Sequence, residues 1–303
     1  DHADIAALFS QVFGHELTPE LWNWKYGEGR GNAVIARRDG QLIAHYGGMV
    51  RQIRNQGEPD WALQIGDVMV HPQERGVLTR QGPFLLVAAT SAELHGPLGF
   101  GFPTERAMQV AERMGLYGRA GQLAQLAWAP AHPRPRWRTT VRHLQLDSPE
   151  EHRRSVDELW DRMAADLRAS VVGERGWRYV SHRYLAHPAN EYDVVLVRER
   201  FARKALGVVA LRRHADVCEL LDLIGPLRHF PVLIDQARRL CARWGLPRLY
   251  GWITRNHIAA WAVHGAVEEP VDIQIPTSSW TQDERADRLR DRWWLTAGDT
   301  DFR

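Results

Sequence analysis

The chain has 303 residues, 44% hydrophobic and 25% charged, with 39 Lys+Arg against 37 Asp+Glu. That composition supports a packed core and excludes a disordered chain, and a net charge of +2 argues against a strongly basic nucleic-acid binder. There is no run of about 18 apolar residues, so no membrane span is expected. The only cysteines are Cys218 and Cys241, which excludes a disulfide framework or cysteine zinc site and fits a reducing, cytoplasmic setting.

At about 100–200 residues per domain, the length predicts two domains. The opening DHADIAALFS lacks the basic-then-apolar pattern of a signal peptide. Apolar residues at 5, 8, 9, 12 and 13 have helical spacing. Thr18-Pro19-Glu20 opens a second helix, with Thr as N-cap and Pro at the first helical position. Residues 32–37 and 41–53 read as two strands around Asp39-Gly40, a hairpin turn pair. The strand at 61–70 stops at His71-Pro72, since Pro has no N–H for the ladder. A helix at 81–95, a short strand at 98–102, a helix at 105–114 stopped by Gly115 and a strand at 122–128 complete a first α/β unit, residues 1–130.

Residues 129–138, APAHPRPRWR, read as a linker, and 131–145 is taken as the Pro/Arg-rich junction. Over 146–303 the pattern predicts helices at 149–168 and 177–185, strands at 193–197, 206–212 and 218–224, and a helix at 232–244. A strand at 248–253, a helix at 258–264 and a strand at 271–275 follow. Both halves thus show helices, three strands, helix, strand, helix, strand. The 13 Trp read as core or as an aromatic binding surface, the latter favouring a sugar-bearing ligand.

The segment 68–76, VMVHPQERG, is the most informative. A strand enters a turn that leads to a helix, so backbone N–H groups and a helix N-terminus converge where a phosphate can bind. With the later helix ending in Met114-Gly115-Leu116 and the strand beyond, residues 1–130 resemble the GCN5-related N-acetyltransferase (GNAT) superfamily. The second half resembles a diverged copy. The resemblance implies an α/β fold with an α+β mixed sheet, in two tandem GNAT-like domains. It also implies acetyl-CoA, or another acyl-CoA, as co-substrate, with no metal. Its pyrophosphate would lie on Met69, Val70, Arg75, Gly76, Val77, Leu78, Thr79, Arg80 and Gly82. The superfamily loop usually reads Gln/Arg-x-x-Gly-x-Gly/Ala. Here Arg75-Gly76 stands at its opening, and Leu78 and Arg80 occupy the two glycine positions. Arg75 and Arg80 supply charge for the phosphates, and Gly82 supplies close approach.

Acyl transfer to an amine needs a group to take the amine's proton and a donor for the leaving thiolate. Asp67, within an apolar strand, is the candidate base; an ion pair is its structural alternative, because a lone buried carboxylate is costly. The tyrosine acid of many superfamily members falls here on Ala111, and Tyr117 stands in for it. His45 and Tyr46 are candidate cleft residues, of which one faces the cleft, since neighbours on a strand point to opposite faces. Gly99 and Gly101 admit close approach, either of a ligand or of a neighbouring strand.

In the second half, the corresponding turn is 225–229, GPLRH. It lacks the loop pattern and Pro226 removes a donor, so no CoA is expected there. The tail behind Trp293 and Trp294 offers Asp299 and Asp301 to an acceptor, or forms a C-terminal strand. The leading expectation is an acetyl-CoA-dependent N-acyltransferase acting on a primary amine of a small molecule or amino sugar. Membrane and nucleic-acid partners are not expected, and a homo-oligomer is left open. The alternatives are a non-catalytic ligand-binding or assembly module and a tRNA-dependent aminoacyl transferase. Arg134, Arg136, Arg138 and Arg142 would meet the RNA in that last case.

Overall fold

The computed structural model describes residues 1–75, 82–96, 98–278, 280 and 288–302. Helix α1 (His2–Phe13) buries Ile5, Leu8 and Phe9, the stripe its spacing predicts. In α2 (Pro19–Tyr26) the Thr18 side chain accepts from Leu21 N–H and Pro19 opens the first turn. Strands β1 (Gly31–Arg38) and β2 (Gln41–Asn55) meet at a turn whose Asp39 and Gly40 have φ of 48° and 82°, as a type I′ hairpin demands. There follow β3 (Glu58–Val70), α3 (Pro83–His95), β4 (Gly99–Phe100), α4 (Glu105–Arg113), closed by Gly115 at φ 71°, and β5 (Tyr117–Trp128). Beyond these lie β6 (Thr139–His143), α5 (Glu150–Asp166), β7 (Val171–Gly173), α6 (Trp177–Val180), β8 (Asp193–Glu199), β9 (Ala205–Arg213), β10 (Cys218–Ile224) and α7 (Phe230–Arg243). The last elements are β11 (Leu249–Thr254), β12 (Val267–Glu269), β13 (Gln274–Ser278) and β14 (Trp293–Trp294).

The chain forms two compact units. One comprises residues 1–52, 60–122 and 272–291, the other 53–59, 123–271 and 292–303. The boundary therefore differs from a single break near residue 130. Residues 272–291 return to the first unit because β13 lies antiparallel to the start of β5 and Gln274 N–H donates to Pro103 O. The expected junction 131–145 also contains β6, which pairs with β8 along its whole length. The β-branched run Thr139-Thr140-Val141 suits that sheet edge.

In the first unit β1, β2 and β3 lie side by side, and β4 joins β3 in parallel after α3. In the second, β8, β9 and β10 form an antiparallel meander and β11 joins β10 in parallel after α7. The same order, three strands, helix, parallel strand, thus occurs twice. In the first unit Ala44, Tyr46, Leu85, Ala88, Ala111 and Leu116 form one core cluster, and Ile5, Leu8, Phe9, Leu17, Leu42 and Met69 a second.

Strand β3 carries a register irregularity that positions the site. Ile65, Val68 and Val70 all pack against the first cluster, while Met69 belongs to the other. Strict alternation would put Ile65 and Val68 on opposite faces, so one extra residue lies between them. Asp67 is that residue: its φ of 49° is left-handed, the geometry of a bulge that kinks a strand.

Candidate functional site

The bulge is held by a buried cluster. Lys25 Nζ donates to both oxygens of Asp67, at 2.7 and 3.0 Å, and the Tyr26 hydroxyl donates to Oδ2 at 2.7 Å. The two charged side chains are 4% and 7% exposed. Lys25 and Tyr26 come from the last turn of α2, and a Cβ on Gly47 would collide with the Tyr26 hydroxyl, so glycine at 47 makes room for it. His45, fully buried, places Nδ1 at 2.8 Å from the Asp67 carbonyl. The carbonyl can only accept, so Nδ1 carries the proton and Nε2 presents a lone pair. Burial holds the His45 pKa below its usual value, against the opposing hydrogen bond to Asp67, and the ring is neutral. Its Nε2 has no hydrogen-bond partner among the described residues.

On the other face of β2, the Tyr46 and Tyr117 hydroxyls lie 2.5 Å apart. Both border a small cavity of about 30 Å3 between Leu63 and Ile65 of β3 and Ala88 and Ser91 of α3, with Trp280 at its side. Burial raises both phenols, Tyr46 well above its ordinary value and Tyr117 to about 12. Each therefore stays a proton donor through neutral pH. Among the described residues, the β3–β4 ladder consists of Leu63↔Gly99 and Gln64↔Phe100, with Leu63 N–H also donating to Leu98 O, although β3 runs on to Val70. A Cβ on Gly99 or Gly101 would stand 3.2 Å from the carbonyl of Leu63 or Ile65, so these glycines serve close strand approach.

Of the expected phosphate-loop residues, Gly76, Val77, Leu78, Thr79 and Arg80 lie outside the described residues. Arg75 turns back to donate from Nε to Val70 O at 3.1 Å. Gly82 caps the 13-residue α3, with Pro83 in its first turn. The side chain of Met69 is 1% exposed in the core, and Val70 packs on the α3 side, so these two offer a ligand only their backbones. Among the described residues, no group of three or more His, Cys, Asp or Glu could hold a metal ion.

The second unit repeats the motif of the bulge and fills it with its own chain. β10 shifts register between Leu220 and Asp222, and Asp222, fully buried, binds Arg175 Nε at 2.9 Å and the Tyr184 hydroxyl at 3.3 Å. Arg175 also binds Asp299. Asp299 is likewise fully buried and closes a capping box with Thr296. The expectation that Asp299 meets an acceptor is therefore corrected: its carboxylate is spent on Arg175. Asp301 is half-buried and is not among the residues bordering the cavity of the first unit. At the turn after β10, the Leu227 N–H is taken by Asp166 at 2.9 Å and Pro226 and Pro231 have none. The anion position at that helix start is thus occupied by a carboxylate of the chain itself. Sequence reasoning singled out none of Lys25, Tyr26, Arg175 or Asp222. Its one available signal was that an Asp inside an apolar strand requires a cation.

Burial, reinforced by Asp299 and opposed by Arg175, pushes Asp222 up to about 6. Between about pH 4, the unfolded value, and pH 6, the folded chain holds a proton that the unfolded chain has lost. The contribution is complete below about pH 4 and is lost as pH rises through about 6. Thermal melts should therefore show the second unit losing stability across that window, and Asp222→Asn should flatten the slope.

The three-strand, helix, parallel-strand unit that occurs twice in the chain is a fold also found in solved GCN5-related N-acetyltransferases. Three solved structures share it over both units. A probable N-acyltransferase of unknown function from Enterococcus faecalis has a TM-score of 0.68 at 14% identity, over 92% of this chain and 70% of that one. A GCN5-related N-acetyltransferase from Anabaena variabilis gives 0.64 at 14%, over 91% and 69%. Saccharomyces cerevisiae N-myristoyltransferase with bound myristoyl-CoA gives 0.57 at 11%, over 91% and 79%. Residues 1–120 match the model of the acetyltransferase (GNAT) domain family. No curated protein matches the chain by sequence.

Proposed function

We propose that the chain is an acyl-CoA-dependent N-acyltransferase whose active site lies in the first unit, with the second unit a diverged copy that binds no CoA. The observation that carries this is the end of the β3–β4 ladder at Gln64↔Phe100, beside a strand kinked at Asp67. A thioester arm entering there finds strand backbone free of ladder partners on one side and the hydroxyl of Tyr117 near its end. The reaction is direct: the amine nitrogen bonds to the thioester carbon, the C–S bond breaks, the amine proton passes to water, and the sulfur is protonated. Tyr117 donates to that sulfur and Tyr46 donates to Tyr117. Asp67 acts as a positioning residue, because both its oxygens already bind Lys25 and Tyr26. The cavity of about 30 Å3 has the size of one water or a methyl group, which favours acetyl over longer chains. The acceptor is a primary amine of a small molecule or amino sugar.

Calorimetric titration with acetyl-CoA and CoA tests the reading. Saturable binding near one to one is expected. Arg75→Ala/Arg80→Ala should weaken it about tenfold or more, through lost charge-assisted bonds, and leave a pantetheine fragment without pyrophosphate unaffected. Equal weakening of both ligands would defeat the phosphate placement, and no binding by the folded chain would defeat the reading.

A further inference from the structure

Most of the tryptophans belong to the core: Trp24, Trp128, Trp160, Trp252, Trp261, Trp293 and Trp294 are all buried. Trp137 is not. It is 62% exposed, and beside it Phe201 is 74% exposed. Their rings meet edge to face at 5.9 Å. Phe201 stands at the tip of the β8–β9 hairpin, and Arg200 N–H donates to Arg138 O at 2.8 Å, which fixes the hairpin tip to the segment before β6. All of these residues lie in the second unit.

The surroundings are cationic. Arg134, Arg138, Arg200 and Lys204 are exposed and form no ion pair among the described residues. The half-buried Arg136 and Arg198 instead pair with Asp235 and Glu151, which braces the base of the patch. An apolar tip flanked along the chain by cations without ion-pair partners among the described residues is unfavourable in water and is complementary to a surface that is apolar inside and anionic at its rim. We propose that this hairpin tip docks on an anionic lipid surface. Trp137 and Phe201 enter the headgroup boundary, and the arginines and Lys204 reach back to lipid phosphates. A single-stranded nucleic acid fits less well, because base stacking needs an open ring face. The Arg138 guanidinium already lies over Trp137 at 4.7 Å, and Phe201 abuts its edge. No helix among the described residues is long and apolar enough to cross a membrane, so the contact is peripheral. The proposal is independent of the acyltransferase reading.

Flotation of the full chain with phosphatidylcholine vesicles, with and without phosphatidylserine, tests it. Binding is expected only with phosphatidylserine and should fall as salt rises. Trp137→Ser/Phe201→Ser should weaken it about tenfold or more through lost apolar burial, with an unchanged melting temperature because both side chains are exposed. Failure to bind phosphatidylserine vesicles, or equal binding by the double variant, overturns the proposal. So does oligouridine that binds the patch more tightly than the vesicles and displaces them; that result would make it a nucleic-acid surface.

Discussion

Lys25→Met should destabilise the first unit by about 3–5 kcal/mol, the cost of leaving one member of a buried ion pair without its partner. At roughly 2–4 °C per kcal/mol for a domain of this size, its melting transition should fall by about 10 °C. The reason is local. Asp67 is 7% exposed and takes 2.7 Å bonds from Lys25 and Tyr26, and a left-handed Asp in mid-strand persists only while its surroundings hold it. Asp67→Asn removes the other partner and should cost a similar amount. Lys25→Met/Asp67→Leu removes both charges and should cost less than the two singles together, which a double-mutant cycle reads directly. The same variants separate positioning from base catalysis. If Asp67 orders the bulge, Asp67→Asn assayed below its melting transition should keep the acid limb of the pH–rate profile. Loss of that limb, with acyl-CoA affinity intact, would instead make Asp67 the base.

What the sequence made legible was local. The Thr18 cap, the Asp39-Gly40 turn and the Gly115 stop each rest on the conformational preference of one or two residues, and each recurs in the structure. The doubled strand order was legible for the same reason, since alternation and helical spacing are read within short windows. The strand β5 begins at Tyr117 rather than near residue 122, because what makes 117–121 a strand lies far away. β13 pairs with it from residues 274–278, and Arg119 is fixed by Glu105 and Glu112. Residues of the candidate site stood out singly, without the partners that hold them. Asp67 stood out as a carboxylate needing compensation, but Lys25 lies 42 positions away. Asp299 looked like a free acid in a tail until Arg175, 124 positions earlier, claimed it. The exposure of Trp137 was illegible for a similar reason: composition shows how many aromatics there are, and only the fold shows which of them the core leaves out, Trp61 and Trp137 among them.

Tyr117→Phe should lower kcat about 100-fold, the lower range for losing a positioned proton donor, with little change in KM for the acyl-CoA. The substitution keeps the ring that borders the cavity and removes only the hydroxyl, so ground-state binding is spared and the loss falls on the step that creates the thiolate. Tyr46→Phe should have a smaller effect, about tenfold, because it leaves the donor in place and removes the hydroxyl 2.5 Å behind it. Folding should change by only about 1 kcal/mol in either variant, the cost of one unpaired buried hydroxyl. The pH dependence gives an independent check. With Tyr117 raised to about 12 by burial, its proton is present throughout the neutral and mildly alkaline range, so the rate should not fall from this group below about pH 11. An alkaline fall near pH 9 that persists in Tyr117→Phe would belong to another group. Undiminished turnover in Tyr117→Phe would mean that the thiolate leaves directly to water, and the hydroxyl pair would then be only a hydrogen bond that closes the apolar cavity under α3.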